Sequence, residues 1–387
     1  MTIITDSVSL ATLCDKLTKE PFICIDTEFI REKTYWPKLC LVQISGPKGE
    51  PFAIDPLHEG IDLSPLFSLM INSKIVKVLH AARQDIEIFL HLIGQLPNPI
   101  FDTQVAAMVC GFGESASYEH LARKIADARI DKSSRFSDWS GRPLEKRQLK
   151  YALSDVIHLP RIYLTLKKRL AETGRESWIA KEMAALGKQE TYITEPKTAW
   201  KKIKTRGASS RTLAVLRELA AVREEWAILY DLPRQHVIRD QSLLAISVSQ
   251  PTTMEELVRV RGLKGTLTKG KLVSSMLKAI ERGKNLKLEK YPETPRKPDN
   301  HPASPAVVDL LKVLLKVRCD ENSIAAPLVA KNSDLIEIAA GLEKNSVLTG
   351  WRRKVFGEDA LKLIRGQLSL RVNNGEVHIH TSCEKKN

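Results

Sequence analysis

The chain has 387 residues, 43% hydrophobic and 27% charged, which is the composition of an ordinary soluble protein with room for two or three domains. No apolar run approaches the roughly 20 residues needed to span a bilayer, so a membrane partner is not expected. Sixty basic against 46 acidic residues, a net charge of +14, favour a polyanionic partner, although charge alone does not separate RNA from DNA or from an acidic membrane. Met1 to Leu10 contain Asp6 and no basic residue, against a secretory signal. Six cysteines are scattered without metal-ligand spacing, which fits reduced thiols and a cytoplasmic location.

The first strand is expected over Phe22 to Phe29. Its period of two puts Asp26 and Glu28 on one face and Ile23, Ile25, Thr27 and Phe29 on the other. Two adjacent carboxylates repel and are costly to bury, and a divalent cation resolves both problems. Alone, the Asp-x-Glu pattern is weak evidence. Leu39 to Ser45 and Pro51 to Asp55 read as the next strands, joined by Gly46-Pro47-Lys48-Gly49 as an antiparallel hairpin. A helix over Leu63 to Ile71 leads to a strand over Ile75 to His80. A second helix follows, with apolar positions Ile86, Phe89, Leu90 and Ile93. Asp85 falls in its first turn, at the carboxyl edge of the sheet. Pro99 to Phe101 starts a short last strand, and Asp102 caps a helix running toward Val109. This is an α/β layout with a mixed sheet.

Beyond Leu144 the pattern is helical. Glu145 to Leu170 reads as one long helix or two abutting ones, with Pro160 as the break, and places Tyr151 and Asp155 on one helical face. Pro196 to Arg211 holds six basic residues and no acid; Arg259 to Lys290 holds ten basic residues against Glu281 and Glu289. After Arg211 no convincing strand pair is visible. A Pro-rich stretch around Pro292, Pro295, Pro298, Pro302 and Pro305 separates two helical segments, about 210–285 and 305–370, each opening on a Leu/Val-rich helix. The expected organisation is a 1–190 catalytic domain, a 191–209 basic linker, helical domains at 210–290 and 305–380, and a 291–304 linker.

Asp26-Thr27-Glu28-Phe29, His80-Ala81-Ala82-Arg83-Gln84-Asp85 and Tyr151-Ala152-Leu153-Ser154-Asp155 occur in that order. With Leu41-Val42-Gln43-Ile44 and Phe101-Asp102-Thr103-Gln104, they resemble the proofreading-type 3′-5′ exonuclease superfamily, in the branch with tyrosine in the third motif, and most closely bacterial ribonuclease D. The resemblance implies a ribonuclease H-like mixed-sheet exonuclease domain followed by two small all-α domains. Both helical segments resemble the nucleic-acid-binding domain shared by ribonuclease D and RecQ-type helicases, the first around Glu256 to Leu263, the second, more diverged, around Gly350-Trp351-Arg352-Arg353 and Leu361 to Gln367.

What the resemblance implies for chemistry is a 3′-to-5′ exoribonuclease that releases nucleoside 5′-monophosphates with two Mg²⁺ or Mn²⁺ ions. Asp26 would bridge the ions, Glu28 and Asp155 would hold the one that activates water, and Asp85 the one beside the leaving oxygen. Tyr151 would orient the attacking water. His80 and Gln84 are candidates for touching the terminal nucleotide or positioning Asp85, and His80 equally for filling the strand end. Phe29 is a candidate for stacking on the last base, although alternation places it in the core. Arg206, Lys264, Lys269 and Lys271, in glycine-containing segments, are candidates for phosphate contacts, and Trp351 for a core anchor. The implied partner is RNA with a single-stranded 3′ end, precursor transfer RNA in particular, bound by a monomer. A 3′-5′ DNA exonuclease and an inactive RNA-binding module remain open on the motifs.

Overall fold

The structure, a computed structural model, describes residues 3–131, 133–134, 137–205, 207–260, 263, 270–292, 303–342 and 345–381. Six strands form one sheet: β1 (Ile3–Ile4), β2 (Phe22–Ile30), β3 (Lys38–Ser45), β4 (Pro51–Ile54), β5 (Val76–Leu79) and β6 (Ile100–Asp102). Their order is β1-β4-β3-β2-β5-β6. The β2-β3 and β3-β4 pairs are antiparallel, and β1-β4, β2-β5 and β5-β6 are parallel, so the sheet is mixed. The β3-β4 hairpin turns where expected, with Gly49 at φ +73° supplying the left-handed residue.

Both faces are covered, which is why β2 reads as a continuous apolar run up to Ile25. Helices Ser7–Leu17, Ser64–Ile71 and Arg83–Ile93 pack Leu10, Leu66 and Phe89 against Ile23, Ile25 and Ile44 on one face. On the other, helix Lys146–Ile157 packs Leu149, Ala152 and Leu153 on Leu41 and Ala53, while helix Leu159–Thr173 packs Leu159 and Ile162 on Cys24 and Val78. These last two helices abut at His158, and Pro160 sits in the first turn of the second, where its missing N–H costs nothing. Strand β1 and helix Ser7–Leu17 were not foreseen from the sequence. The five described cysteines are free thiols.

The two helical segments run through the same succession of elements. Ser210–Leu229, Arg234–Val237, Asp240–Ser249, Met254–Arg259 and Gly270–Lys284 make the first. Pro305–Asn322, Ala326–Val329, Asn332–Ala339, the short turn Ser346–Leu348 and the helical run from Gly350 to Ile364 make the second. The second then adds a hairpin of β7 (Leu368–Asn373) and β8 (Glu376–Thr381), a strand pair the sequence reading of an all-helical tail misses. The signal is present in the sequence, Leu368, Leu370 and Val372 alternating with polar residues before Asn374-Gly375 and Val377 and Ile379 after it, but the strands are short and mostly exposed, and a helical reading of the tail passes over them.

The stretch read as a basic linker is packed as well. Pro196–Lys202 forms a 3₁₀ helix, and Ala199 and Ile203 bury in the first helical core beside Leu213 and Leu216. Gly283 closes that core. A Cβ there would lie 2.6 Å from the Cα of Val215, so the two long helices touch backbone to backbone. Gly283→Ala is therefore expected to lower stability by about 1–2 kcal/mol in denaturant unfolding, overpacking outweighing the roughly 1 kcal/mol gain in helix propensity. An unchanged or raised midpoint would contradict this close approach.

Candidate active site

The parallel β2-β5 pair brings two carboxyl ends to one edge of the sheet, and the site is built there. Asp26 pairs across β3 with Gln43 and Glu28 with Leu41, on the face covered by helix Lys146–Ile157. Thr27 points the other way, and its hydroxyl donates to the carboxylate of Asp85. That carboxylate sits in the first turn of helix Arg83–Ile93 and is only 6% exposed. Strand and helix thus deliver acids to one place from opposite faces of the sheet.

The turn carrying Asp85 is strained and clamped. Ala81 adopts φ +57°, a left-handed conformation uncommon for a residue with a Cβ. Asp102, at the end of β6, accepts from the N–H groups of Ala81 (3.0 Å), Ala82 (2.9 Å) and Gln104 (2.8 Å). One buried carboxylate therefore holds both the turn after β5 and the start of the next helix. The sequence reading found only its capping role.

Helix Lys146–Ile157 supplies the remaining groups. It starts in a capping box of Glu145 and Gln148 and is pinned to β3 by Ser45, whose hydroxyl donates to the carbonyl of Val156 at 2.8 Å. Asp155 projects from it toward β2, and the carboxylate oxygens of Asp26, Glu28 and Asp155 come within 4.8 Å of one another. Asp85 stands outside this group of three, yet its charge reaches Asp26. Burial, then the charges of Asp85, Asp155 and Glu28, hold the Asp26 carboxyl well above the usual carboxylate range. Burial pushes Asp85 up to about 7. An all-oxygen donor set crowded until its acids cling to protons suits a hard divalent cation such as Mg²⁺ or Mn²⁺.

These groups line a cleft of about 620 Å³. Tyr151 lines it too and lies under Trp139, ring centroids 6.1 Å apart and 30° from parallel. Phe29, His80 and Gln84 are in the wall. Phe29 packs, half-buried, against the Ile23–Ile25 core on the face where alternation places it and also borders the cleft, and the β2-β3 register shifts between Glu28 and Phe29. Thr103 donates its hydroxyl to the carbonyl of Leu79 and so accepts from Nδ1 of His80 at 3.0 Å. Burial lowers the His80 pKa, which favours the neutral ring. Tyr118 and Trp139 are wall residues that no motif signalled. Of the proposed phosphate contacts, Lys271 is exposed at the start of helix Gly270–Lys284 and outside the cleft wall. Arg206, Lys264 and Lys269 lie outside the described residues.

Residues 1–171 match the 3′-5′ exonuclease family and residues 212–280 the HRDC domain. The chain is 43% identical to the ribonuclease D of Bartonella henselae, over 98% of this chain and 93% of that protein. It is also 43% identical to that of Jannaschia sp., over 97% and 98%. This chain belongs to the ribonuclease D family. Among solved structures, Escherichia coli RNase D superposes with a TM-score of 0.78 at 28% identity, covering 94% of this chain and 98% of that one. The catalytic core of RRP6 from Trypanosoma brucei shares the fold, with a TM-score of 0.53 at 23% identity over 73% and 79% of the two chains.

As a ribonuclease D, the chain is a 3′-5′ exoribonuclease, and the mixed-sheet exonuclease fold with a helical C-terminal region is that of the family. The same acids make metal-free stability pH-dependent. Asp26 and Asp85 bind protons more tightly folded than unfolded, so the folded state holds more protons and stability falls as pH rises from about 4 to 7. In chelator, the thermal midpoint is expected to drop across that window more steeply than in Asp85→Asn, whose residue 85 does not titrate. Parallel profiles would refute it.

Proposed function

We propose that the cleft removes nucleotides one at a time from single-stranded 3′ ends of RNA, releasing nucleoside 5′-monophosphates, with two divalent cations held by Asp26, Glu28, Asp85 and Asp155. The observation that carries this reading is the convergence of three carboxylates within 4.8 Å beside the buried Asp85. The chemistry such cations supply when bound is a lowered pKa for a ligated water and neutralisation of charge on the leaving oxygen.

The chain's own residues do the rest. Tyr151, braced by Trp139 and one helical turn from Asp155, lines the cleft where its hydroxyl can orient the attacking water. Phe29 offers an apolar face for the terminal base, and His80 and Gln84 offer polar groups to the last nucleotide. We read the cleft as the seat of a splayed single-stranded end.

The substrate class we assign is precursor transfer RNA with extra 3′ residues, processed in the cytoplasm by a monomer. Escherichia coli RNase D is described as an exoribonuclease involved in structured RNA processing, and a folded RNA with a loose 3′ tail has that form. We divide the chain into an exonuclease domain (1–190), two nucleic-acid-binding helical domains (210–290 and 305–380) and connecting segments at 191–209 and 291–304. The HRDC match to 212–280 and the shared succession of elements in the second segment support this division. The basic residues flanking the first helical core, Lys271 among them, are suited to sequence-independent phosphate contacts.

The test is a time course on 5′-labelled RNA and DNA of one sequence, each with a single-stranded 3′ tail, in Mg²⁺, in Mn²⁺ and in chelator. A ladder of one-nucleotide steps on RNA is expected, abolished by chelator and slowed at least about 100-fold by Asp155→Asn. Faster shortening of DNA would make the chain a deoxyribonuclease. Binding of RNA without cleavage would leave only a binding module.

A further inference from the structure

Gln43 is fully buried, and neither its Nε2 nor its Oε1 has a hydrogen-bond partner among the described residues. Leaving a buried polar group unpaired is costly, and an amide here brings two such atoms where a leucine or methionine would bring none. Its position gives the reason to look further. Gln43 lies on the central strand β3 directly opposite Asp26 on β2 and Ala53 on β4. Residues paired in this way share a face, with Cβ atoms about 4.5–5.5 Å apart, well within reach of a side chain as long as glutamine's. That face is covered by helix Lys146–Ile157, which carries Tyr151 and Asp155 and which β3 already grips through Ser45. The amide is enclosed between the most crowded carboxylate of the site and the helix that brings the third one to it.

We infer that Gln43 is a positioning residue for Asp26. With cations held by the carboxylates, its Nε2–H₂ would donate to a carboxylate oxygen of Asp26, fixing the carboxylate's rotation. Carboxylates that ligate metals are themselves hydrogen-bonded in this way, and their partners typically change metal affinity 10- to 100-fold. The inference rests on the cation-binding reading of Asp26, Glu28 and Asp155 given above. It accounts for a buried amide that contributes nothing to the apolar packing around it.

The test is Mn²⁺ binding, followed by the electron paramagnetic resonance signal of free Mn²⁺, on the full chain as wild type, Gln43→Met and Gln43→Leu. Thermal midpoints are recorded for all three in chelator. Both variants are expected to bind Mn²⁺ roughly tenfold or more weakly, with chelator midpoints equal to or above wild type because the unpaired amide is gone. On RNA, KM should hold while kcat falls. Unchanged Mn²⁺ affinity in folded variants would overturn the inference. So would lowered chelator midpoints in both variants, which would make the amide a structural group. Failure of the wild type itself to bind Mn²⁺ would instead remove the cation reading on which the inference stands.

Discussion

Mutual repulsion of acids at one sheet edge is the constraint on which the rest of this molecule depends. Two like charges about 4 Å apart repel by roughly 4 kcal/mol at an effective dielectric of about 20. A domain's entire stability is only about 5–15 kcal/mol. Full ionisation of Asp26, Glu28, Asp85 and Asp155 would therefore consume much of what the fold has to offer, and the upward shifts of Asp26 and Asp85 are how the chain relieves that load without a cation. The scaffold has to hold these groups against a force pushing them apart. It does so by drawing them from separate rigid elements, so that no single local movement releases the crowding. Asp26 and Glu28 are fixed by the central strand, Asp85 by the Thr27 hydroxyl and the Asp102-clamped turn, and Asp155 by a helix capped at its start and tied to β3 near its end.

Tyr151 is braced by a different device. Arg142 forks onto Asp55 beyond β4 at 2.6 and 2.7 Å and also donates to the carbonyls of Cys40, Trp139 and Gly141. A planar guanidinium satisfied in this way fixes the segment before helix Lys146–Ile157, and with it the indole that lies over Tyr151. Preorganisation of the phenol thus depends on an ion pair between the 138–145 segment and the sheet's far side, well removed from any motif.

The acids and the tyrosine each sit on a local pattern, a period-two strand, a strand-to-helix turn and a four-residue helical spacing, weak singly and joined into one candidate site only by the order of motifs that resembles ribonuclease D. The strands β2 to β6 and the break at Pro160 are legible from local patterns of this kind. What is not legible depends on contacts between distant segments. The register shift between Glu28 and Phe29 is set by how β3 pairs with β2. Tyr118 lines the cleft because its hydroxyl bridges the carbonyl of Ser154 and the N–H of His158, 36 and 40 residues away. The β7-β8 hairpin escapes notice although Leu368, Leu370, Val372, Val377 and Ile379 alternate about an Asn374-Gly375 turn, because two short strands after a long helical stretch are outweighed by their surroundings. The basic run at 196–211 reads as a linker because its charges dominate its composition, while Ala199 and Ile203, two small contributions to that composition, decide where it packs.

The two helical segments join the exonuclease sheet by physically different contacts, and the difference bears on how each can serve it. The second shares a continuous apolar core with the sheet: Leu311, Leu314 and Phe356 fall in the same cluster as Cys24, Val78 and Ile162. Trp178 stacks on Trp351 at 4.7 Å, Arg352 pairs with Glu182 at 2.8 Å, and the backbone N–H of Ala325 donates to the carbonyl of Met108. Separating it would expose large apolar areas at about 25 cal/mol per Å². The first is held through the loop after β2. Tyr35 enters its core and donates to the buried Glu224, which Arg234 also grips, while Asp231 accepts from the N–H groups of Tyr35 and Trp36 at 3.0 Å. The same loop carries Arg31, a cleft residue forked onto Glu87. Strand β2 therefore runs from the cleft carboxylates straight into the anchor of the HRDC segment, with fewer than ten residues between Glu28 and Tyr35. The first segment thus meets the sheet through a loop continuous with the strand that holds Asp26 and Glu28, whereas the second is fused into the apolar core behind that strand.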